Sequence, residues 1–234
     1  MAQPVTGGAP RRLREDDATL ATSQPGLRRR RLNGKLVVEG ELTVLLPGGV
    51  TGQFTVQIRY PGASPFELPD VYDVDERFDR DGANHVEASG RFCMWLPLTA
   101  PVADFQRPGG LARYLVLVCQ FIKLQVMYEE RRRRGVEPHW RWADWEHGTA
   151  GYEQWFRENS VGLVPGQLEK LLEAVRARPR TSAKCPCGSG KRLGNCHKKW
   201  LATVRRSAMT DSNLLTAGFT YLEIWRESVR QRST

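Results

Sequence analysis

The segment KLVVEGELTVLLPGGVTGQFTVQIRY, residues Lys35 to Tyr60, decides the fold of the N-terminal part of this chain. Its apolar side chains occupy alternate positions in two runs, which are Leu36, Val38, Leu42, Val44 and Leu46, then Phe54, Val56, Ile58 and Tyr60. A period of two predicts two strands that each bury one face. Turn residues, Pro47 to Gly49, separate the runs. We therefore predict a β-hairpin.

Further elements are predicted on both sides of the hairpin. The charged segment Arg11 to Ser23 is expected to form an N-terminal helix, and the like-charged run Arg28 to Arg31 is expected to be exposed. A third strand is predicted over Asp70 to Val74. The stretch Asp75 to Pro108 is long and irregular, which in a compact domain favours a functional loop.

Helical spacing dominates the next part of the chain. Apolar residues of Gly110 to Arg134 recur at intervals of three and four, which predicts a long helix that ends at a cationic run and Gly135. Cys119 lies on or beside its apolar face and is expected to fill the core. A further helix is predicted from Gln167 to Arg178, and Asp211 can cap a final amphipathic helix.

Composition places limits on the class of protein. The chain of 234 residues is 40% hydrophobic and 26% charged, which is ordinary for a globular protein. Its best apolar run, Tyr114 to Ile122, is too short to span a bilayer, and its start lacks the apolar stretch of a signal peptide. We expect a cytoplasmic protein without a membrane partner. Its five cysteines do not suggest a disulfide framework.

The net charge of +9 is concentrated in one segment. Residues 176–206 contain ten Lys or Arg and no Asp or Glu, whereas the rest of the chain is close to neutral. Such a segment can bind an anionic partner, which could be a nucleic acid or an acidic protein face. It can equally be a solvated tail.

A metal-binding motif lies within the basic segment. The sequence CPCGSGKRLGNCHK, residues Cys185 to Lys198, offers Cys185, Cys187, Cys196 and His197 as ligands. Zinc prefers four such ligands at the corners of a tetrahedron, and the intervening glycines allow the chain to turn tightly. Four protein ligands fill the coordination sphere, so we predict zinc as a structural cofactor. The alternative is three reduced cysteines without metal.

This motif resembles the SEC-C motif, which is known from the tail of the preprotein translocase ATPase. The resemblance covers about fourteen residues and rests on the C-x-C-G-S-G-K run and the later Cys-His pair. In that family the motif binds protein partners. The resemblance therefore implies that the module recruits a target or adaptor protein.

A second set of residues is similar to the ubiquitin-conjugating enzyme family. The matching features, in the family's order, are Tyr60-Pro61, Pro65, Pro69, His85, Gly90 three residues before Cys93, and the long helix from Gly110. The resemblance spans roughly residues 10–135. It implies an α+β fold, an antiparallel β-meander with flanking helices, to which the zinc module and a C-terminal helix are added.

The chain departs from that family at its active-site motif. Val86 and Glu87 stand where the family has Pro and Asn, and the His-to-Cys spacing is two residues shorter. The family's Asn helps to stabilise the oxyanion, so that role is unassigned, with Asn84 a weak substitute. Divergent bacterial relatives, often encoded in antiphage defence operons with ubiquitin-like proteins and activating enzymes, also lack this Asn. The chain most resembles those relatives.

The resemblance assigns roles to three residues. Cys93 would accept a ubiquitin-like protein as a thioester, because a thiolate is both a good nucleophile and a good leaving group. His85 would organise the loop by hydrogen bonds. His147, which precedes Gly148 as in bacterial relatives, would assist proton transfer, although a structural histidine is the alternative. The implied partners are a ubiquitin-activating-type enzyme and a ubiquitin-like protein.

We predict three parts: a conjugating-type domain over residues 1–178, the zinc module over residues 179–200, and an amphipathic helix over residues 201–234. Three functions are compatible with them. The chain is a conjugating-type transferase, a non-catalytic scaffold of the same fold, or a nucleic-acid-associated zinc adaptor. A cysteine near a histidine is weak support alone, and Cys93 can also be an ordinary loop residue.

Overall fold

A computed structural model describes residues 9–80, 85–95, 99–136, 148–208 and 213–232. It divides the chain into two compact units. The first contains residues 1–94 and 101–143, and the second contains residues 95–100 and 144–234. The predicted boundary after residue 178 therefore lies inside the second unit, because helices on both sides of that residue pack together.

The first unit is an antiparallel sheet with helices, so the α+β class is confirmed. Its sheet has the strand order β1-β2-β3-β4, with bounds Leu27–Leu32, Lys35–Leu45, Thr51–Arg59 and Asp70–Asp73. Its described helices are α1, α2 and α3, with bounds Ala9–Ser23, Val102–Gln106 and Gly110–Arg133. The short helix α2 lies within the stretch that we expected to be irregular.

The predicted hairpin is confirmed by β2 and β3. Leu42 is paired with Phe54 and Val38 with Ile58, so the apolar positions of both strands share one face of the sheet. Gly48 in the connecting turn has a φ of 79°, a conformation that glycine adopts without strain. The alternation in sequence thus translates directly into the buried face.

Strand β1 was not predicted, because its sequence LRRRRL shows no apolar alternation. Leu27 is buried opposite Gly40, and two of the arginines that follow, Arg29 and Arg30, form ion pairs with acidic residues. Arg29 forms an ion pair with Asp17 of α1. Charged side chains are typical of an edge strand, since they discourage pairing with another chain.

The helix α1 is held by a buried ion pair. The Arg12 guanidinium lies 2.8 Å from the Asp16 carboxylate, and both side chains are almost completely buried. Arg12 also donates to the carbonyl oxygens of Phe105 and Arg107, at 3.0 Å and 2.9 Å. Burial raises the pKa of Asp16 to about 6, although Arg12 opposes the shift. The pair therefore connects α1 to the segment that enters α3.

Among the described residues, α3 is the one helix long and apolar enough to cross a membrane. Its buried residues, however, belong to the core of the first unit: Gly110, Leu111, Tyr114, Leu115, Val118, Phe121, Ile122 and Gln125. A core helix passes the same length and composition test, so this is weak support for a span. The cytoplasmic location stays a prediction.

The second unit is helical around the metal-binding motif. Its described helices are α4, α5, α6 and α7, with bounds Gly148–Asn159, Pro165–Ala177, Lys198–Ala208 and Asn213–Gln231. Both α4 and α5 contact α7, which explains why the unit begins before residue 178. Where one C-terminal helix was predicted over residues 201–234, the structure has the last part of α6 and then α7. Asp211 lies outside the described residues.

Candidate functional site

The metal-binding motif is built on a short hairpin. The backbone N–H of Cys185 donates to the carbonyl of Lys191 at 2.8 Å, and Leu193 donates to Ala183 at 2.9 Å. Gly188 and Gly190, at the tip, have φ angles of 81° and 74°. Residues with a Cβ atom rarely adopt such backbone angles, so the glycines allow the chain to reverse its direction between the two halves of the ligand set.

The four predicted ligands come together. The Sγ atoms of Cys187 and Cys196 are 3.7 Å apart, and the Nδ1 atom of His197 lies 3.4 Å from Cys185 Sγ and 3.1 Å from Cys196 Sγ. All four ligand atoms lie within 4.8 Å of one another. Thiolates at the usual Zn–S distance of about 2.3 Å are roughly 3.7 Å apart in a tetrahedron. The donor set therefore fits a metal ion such as zinc.

The electrostatics of the cluster also favour a cation. Burial opposes ionisation, but hydrogen bonds from Ser189 lower the pKa of Cys187 to about 6. Burial raises the pKa of Cys185 to about 11. Neighbouring thiols cannot all be ionised without a positive charge between them, and a metal ion supplies that charge.

The cluster is part of a hydrophobic core. Cys185, Cys187 and Leu193 are buried with Phe156 of α4 and Leu172 of α5 in one group of contacting residues. Trp200 of α6 lies against the same group. The metal-binding motif thus belongs to the core of the second unit and does not form a separate appendage.

In the first unit, Cys93 follows a strand-like segment next to β4. The N–H of Asp73 donates to Gly90 at 2.9 Å, and the N–H of Phe92 donates to Val71 at 2.8 Å. The N–H of Cys93 itself donates to the carbonyl of His85 at 2.8 Å. A tight hairpin over residues 85–93 therefore holds the backbone of Cys93 opposite His85.

Two neighbours of Cys93 determine the path of this hairpin. Gly90 has a φ of 81°, and a Cβ atom there would lie 2.9 Å from the carbonyl oxygen of Asp73. Phe92 is buried, and its ring centroid is 4.9 Å from that of Phe121 in α3. The glycine permits the close approach to β4, and the phenylalanine anchors the residue next to Cys93 in the core.

The thiol of Cys93 is partly buried. Burial and the carboxylate of Glu87 raise its pKa, and the guanidinium of Arg91 partly offsets this effect. Arg91 forms ion pairs with Glu87 and with Asp70 of β4. The sequence analysis did not predict this charged group. Arg91 and Glu87 lie two and six residues before Cys93, and nothing in the local sequence pattern indicated that they face each other.

The other predicted residues are placed as follows. His85 is buried and adopts a left-handed backbone with a φ of 61°. Cys119 is partly buried, and burial raises its pKa to about 11, which agrees with a packing role. His147 and Asn84 lie outside the described residues.

Comparisons with family models, with curated proteins and with solved structures found no match to this chain. Both resemblances therefore rest on the residues quoted above, and the functions that they imply stay predictions.

Proposed function

We propose that the chain is a ubiquitin-conjugating-type carrier that accepts a ubiquitin-like protein on Cys93 as a thioester. One observation carries the proposal. The hairpin over residues 85–93 fixes the backbone of Cys93 beside β4 while its side chain keeps partial access to solvent. A carrier needs this combination, because its cysteine must be reached by a donor and must hold a constant position.

The reaction consists of two acyl transfers. The sulfur of Cys93 attacks the thioester carbonyl of the charged activating enzyme, whose sulfur leaves as a thiolate, and the Cys93 proton passes to solvent or to that thiolate. An acceptor amine then attacks the new thioester, forms an amide and restores the Cys93 thiol. Each step passes through an oxyanion that requires a hydrogen-bond donor. The proposal assigns no residue to that donor.

In this proposal His85 positions the loop through its backbone. Its carbonyl accepts the N–H of Cys93, and its buried side chain is not offered as a base. His147 is proposed to assist proton transfer, as the resemblance implies. The zinc module is proposed to recruit the target or an adaptor protein in a conjugation system linked to antiphage defence.

A thioester assay tests the proposal. The purified chain is mixed with ATP and with the activating enzyme and ubiquitin-like protein encoded beside its gene, then separated with and without reductant. We expect a reductant-sensitive adduct on the wild type and on Cys119→Ser. In Cys93→Ser the adduct should be lost or become resistant to reductant. Absence of an adduct, when the activating enzyme charges its own cysteine, would refute the proposal.

A second candidate is a non-catalytic scaffold of the same fold. It is favoured by the raised pKa of Cys93, because a thiol that ionises poorly is a weaker nucleophile at neutral pH. Val86 and Glu87, which replace the family's Pro and Asn, point in the same direction. Full biological activity of Cys93→Ala would support the scaffold and exclude the carrier.

A further inference from the structure

The metal-binding module has a highly cationic surface. Nine of the ten Lys and Arg side chains in residues 176–206 are exposed, and Arg205 is the partly buried exception. Among the described residues of the second unit, Arg226 forms an ion pair with Glu169, and both of these residues lie outside this segment. We call these nine exposed cations the basic face. Their side chains are exposed to solvent, and the segment contains no carboxylate that could pair with them.

The fold gathers these cations from separate parts of the segment. Lys184 and Arg192 are bridge partners on opposite sides of the metal-binding hairpin, and Lys191 precedes Arg192. Lys198 and Lys199 begin α6 directly after the ligand His197. The metal-binding motif therefore holds the cations of the hairpin in a fixed position relative to the two lysines at the start of α6.

One part of the basic face is unfavourable for stability. Lys198 and Lys199 lie in the first turn of α6, where the helix dipole disfavours cations. A bound polyanion would relieve this conflict. A tail selected only for solubility would not require it.

The surface between the cations indicates the class of partner. The exposed large hydrophobic residues of the described chain include Val161, Val164, Ile224 and Val229, but none from residues 176–206. The other exposed positions of the hairpin are small or polar, such as Thr181, Ser189 and Asn195. Protein interfaces depend on buried aromatic or aliphatic anchors, whereas phosphate contacts need cations and small hydrogen-bond donors.

We propose that the basic face binds the phosphodiester backbone of nucleic acid without sequence preference. The observations favour this partner over an acidic protein, because the face offers charge and polar donors but no apolar anchor. The proposal does not depend on Cys93 or on thioester chemistry. It would bring the chain to nucleic acid whether or not the first unit is a carrier.

The expected affinity for nucleic acid, and its dependence on salt, follow from the number of phosphates that the basic face neutralises. If about four phosphates are neutralised on duplex DNA, the slope of log K against log salt is about −3.6, at roughly −0.9 for each phosphate. Raising the salt from about 50 to about 200 mM should then weaken binding about 150-fold. Non-specific complexes of this kind have Kd values on the order of 10⁻⁶ to 10⁻⁴ M.

The test is fluorescence anisotropy with the zinc-loaded full chain. The probes are a labelled 20-base-pair DNA duplex of mixed sequence, a second duplex of scrambled sequence, and a single-stranded RNA of the same length. The variant Lys191→Ala/Arg192→Ala/Lys199→Ala removes three exposed cations. It should reduce the salt slope by about 2 to 3 and weaken binding at low salt at least tenfold.

A matched control removes three exposed cations of the first unit, in the variant Arg14→Ala/Lys35→Ala/Arg133→Ala. It carries the same change in net charge and should bind as the wild type does. Zinc content and circular dichroism show whether each variant is folded. If the basic-face variant loses its zinc, Arg192→Ala and Lys199→Ala are measured singly, with a slope reduction of about 1 expected for each.

Four outcomes would overturn the proposal. They are absence of binding at about 50 mM salt, equal loss of binding in the two triple variants, a Kd that differs more than tenfold between the two duplexes, and tighter binding of polyglutamate than of the duplex at equal charge. The last result would assign the basic face to an acidic protein. None of these outcomes bears on the thioester assay, so the two proposals fail separately.

Discussion

The predicted zinc ion should be required for the second unit to fold, so that its removal unfolds the unit. The ligands Cys185 and Cys187 are 4% and 3% exposed and lie in the same core as Phe156 and Leu172. Without the metal, this core would contain a cluster of polar thiols and one imidazole. The hairpin that carries them would keep only a few backbone hydrogen bonds, so it cannot hold its shape alone.

The magnitude can be compared with the stability of the unit. Structural zinc contributes about 10–16 kcal/mol to the folding of small zinc modules at neutral pH. A domain of this size has a total stability of about 5–15 kcal/mol. Loss of the metal therefore removes as much free energy as the whole unit has. The helices of the second unit contain 55 of the 99 helical residues of the described chain, so up to roughly half of the helical signal should be lost.

The assay is circular dichroism at 222 nm together with tryptophan fluorescence. The sample is the zinc-loaded chain, titrated with a strong zinc chelator, and zinc is then added back. Trp155, Trp200 and Trp225 all lie in or against the core of the second unit, so their emission should shift to longer wavelength. The variant Cys187→Ser should behave as the chelated protein does.

Two matched variants separate loss of the metal from loss of a thiol. Cys196→His keeps a ligand that zinc accepts, so helicity should be largely retained when zinc is present. Cys119→Ser removes a thiol from the first unit and should not alter the response to the chelator. Full helicity and unshifted emission in protein that has lost its zinc would refute the assignment of a structural metal.

Three further predictions concern the first unit. Arg12→Met leaves the buried Asp16 carboxylate without its partner and should lower the free energy of unfolding by about 3–5 kcal/mol in urea titrations. Arg11→Met removes a pair whose arginine is 78% exposed and should cost under about 1 kcal/mol; equal effects would contradict the reasoning. Gly90→Ala should cost at least about 1–2 kcal/mol, because a left-handed backbone disfavours alanine and its Cβ would contact β4; an unchanged midpoint would be contrary to this. The pKa of Cys93 is raised, so less thiolate exists at a given pH, and in Cys119→Ser its iodoacetamide rate should keep increasing with pH beyond the plateau of a model thiol. A plateau at or below the pH at which the model thiol levels off would refute the raised pKa.

Local patterns in the sequence determined much of this protein. The period of two over Lys35 to Tyr60 specified the hairpin, and the apolar spacing over Gly110 to Arg134 specified the long helix. The spacing of Cys185, Cys187, Cys196 and His197 predicted a metal-binding cluster, and the structure brings these four residues close enough to hold one ion. These features could be predicted because each depends on residues close together in the chain.

Only the tertiary structure decided the features that depend on distant residues. Strand β1 exists because Leu27 pairs with Gly40 and because Arg29 and Arg30 form ion pairs with Asp17 and Glu39, which its own sequence does not reveal. The second unit begins before residue 178 because α4 and α5 pack on α7, and the charged group beside Cys93 forms because a hairpin closes there. Long-range packing sets burial, and burial sets the pKa values and the exposed charges on which function depends. The sequence alone therefore identified the candidate site residues, whereas the fold decided what surrounds them.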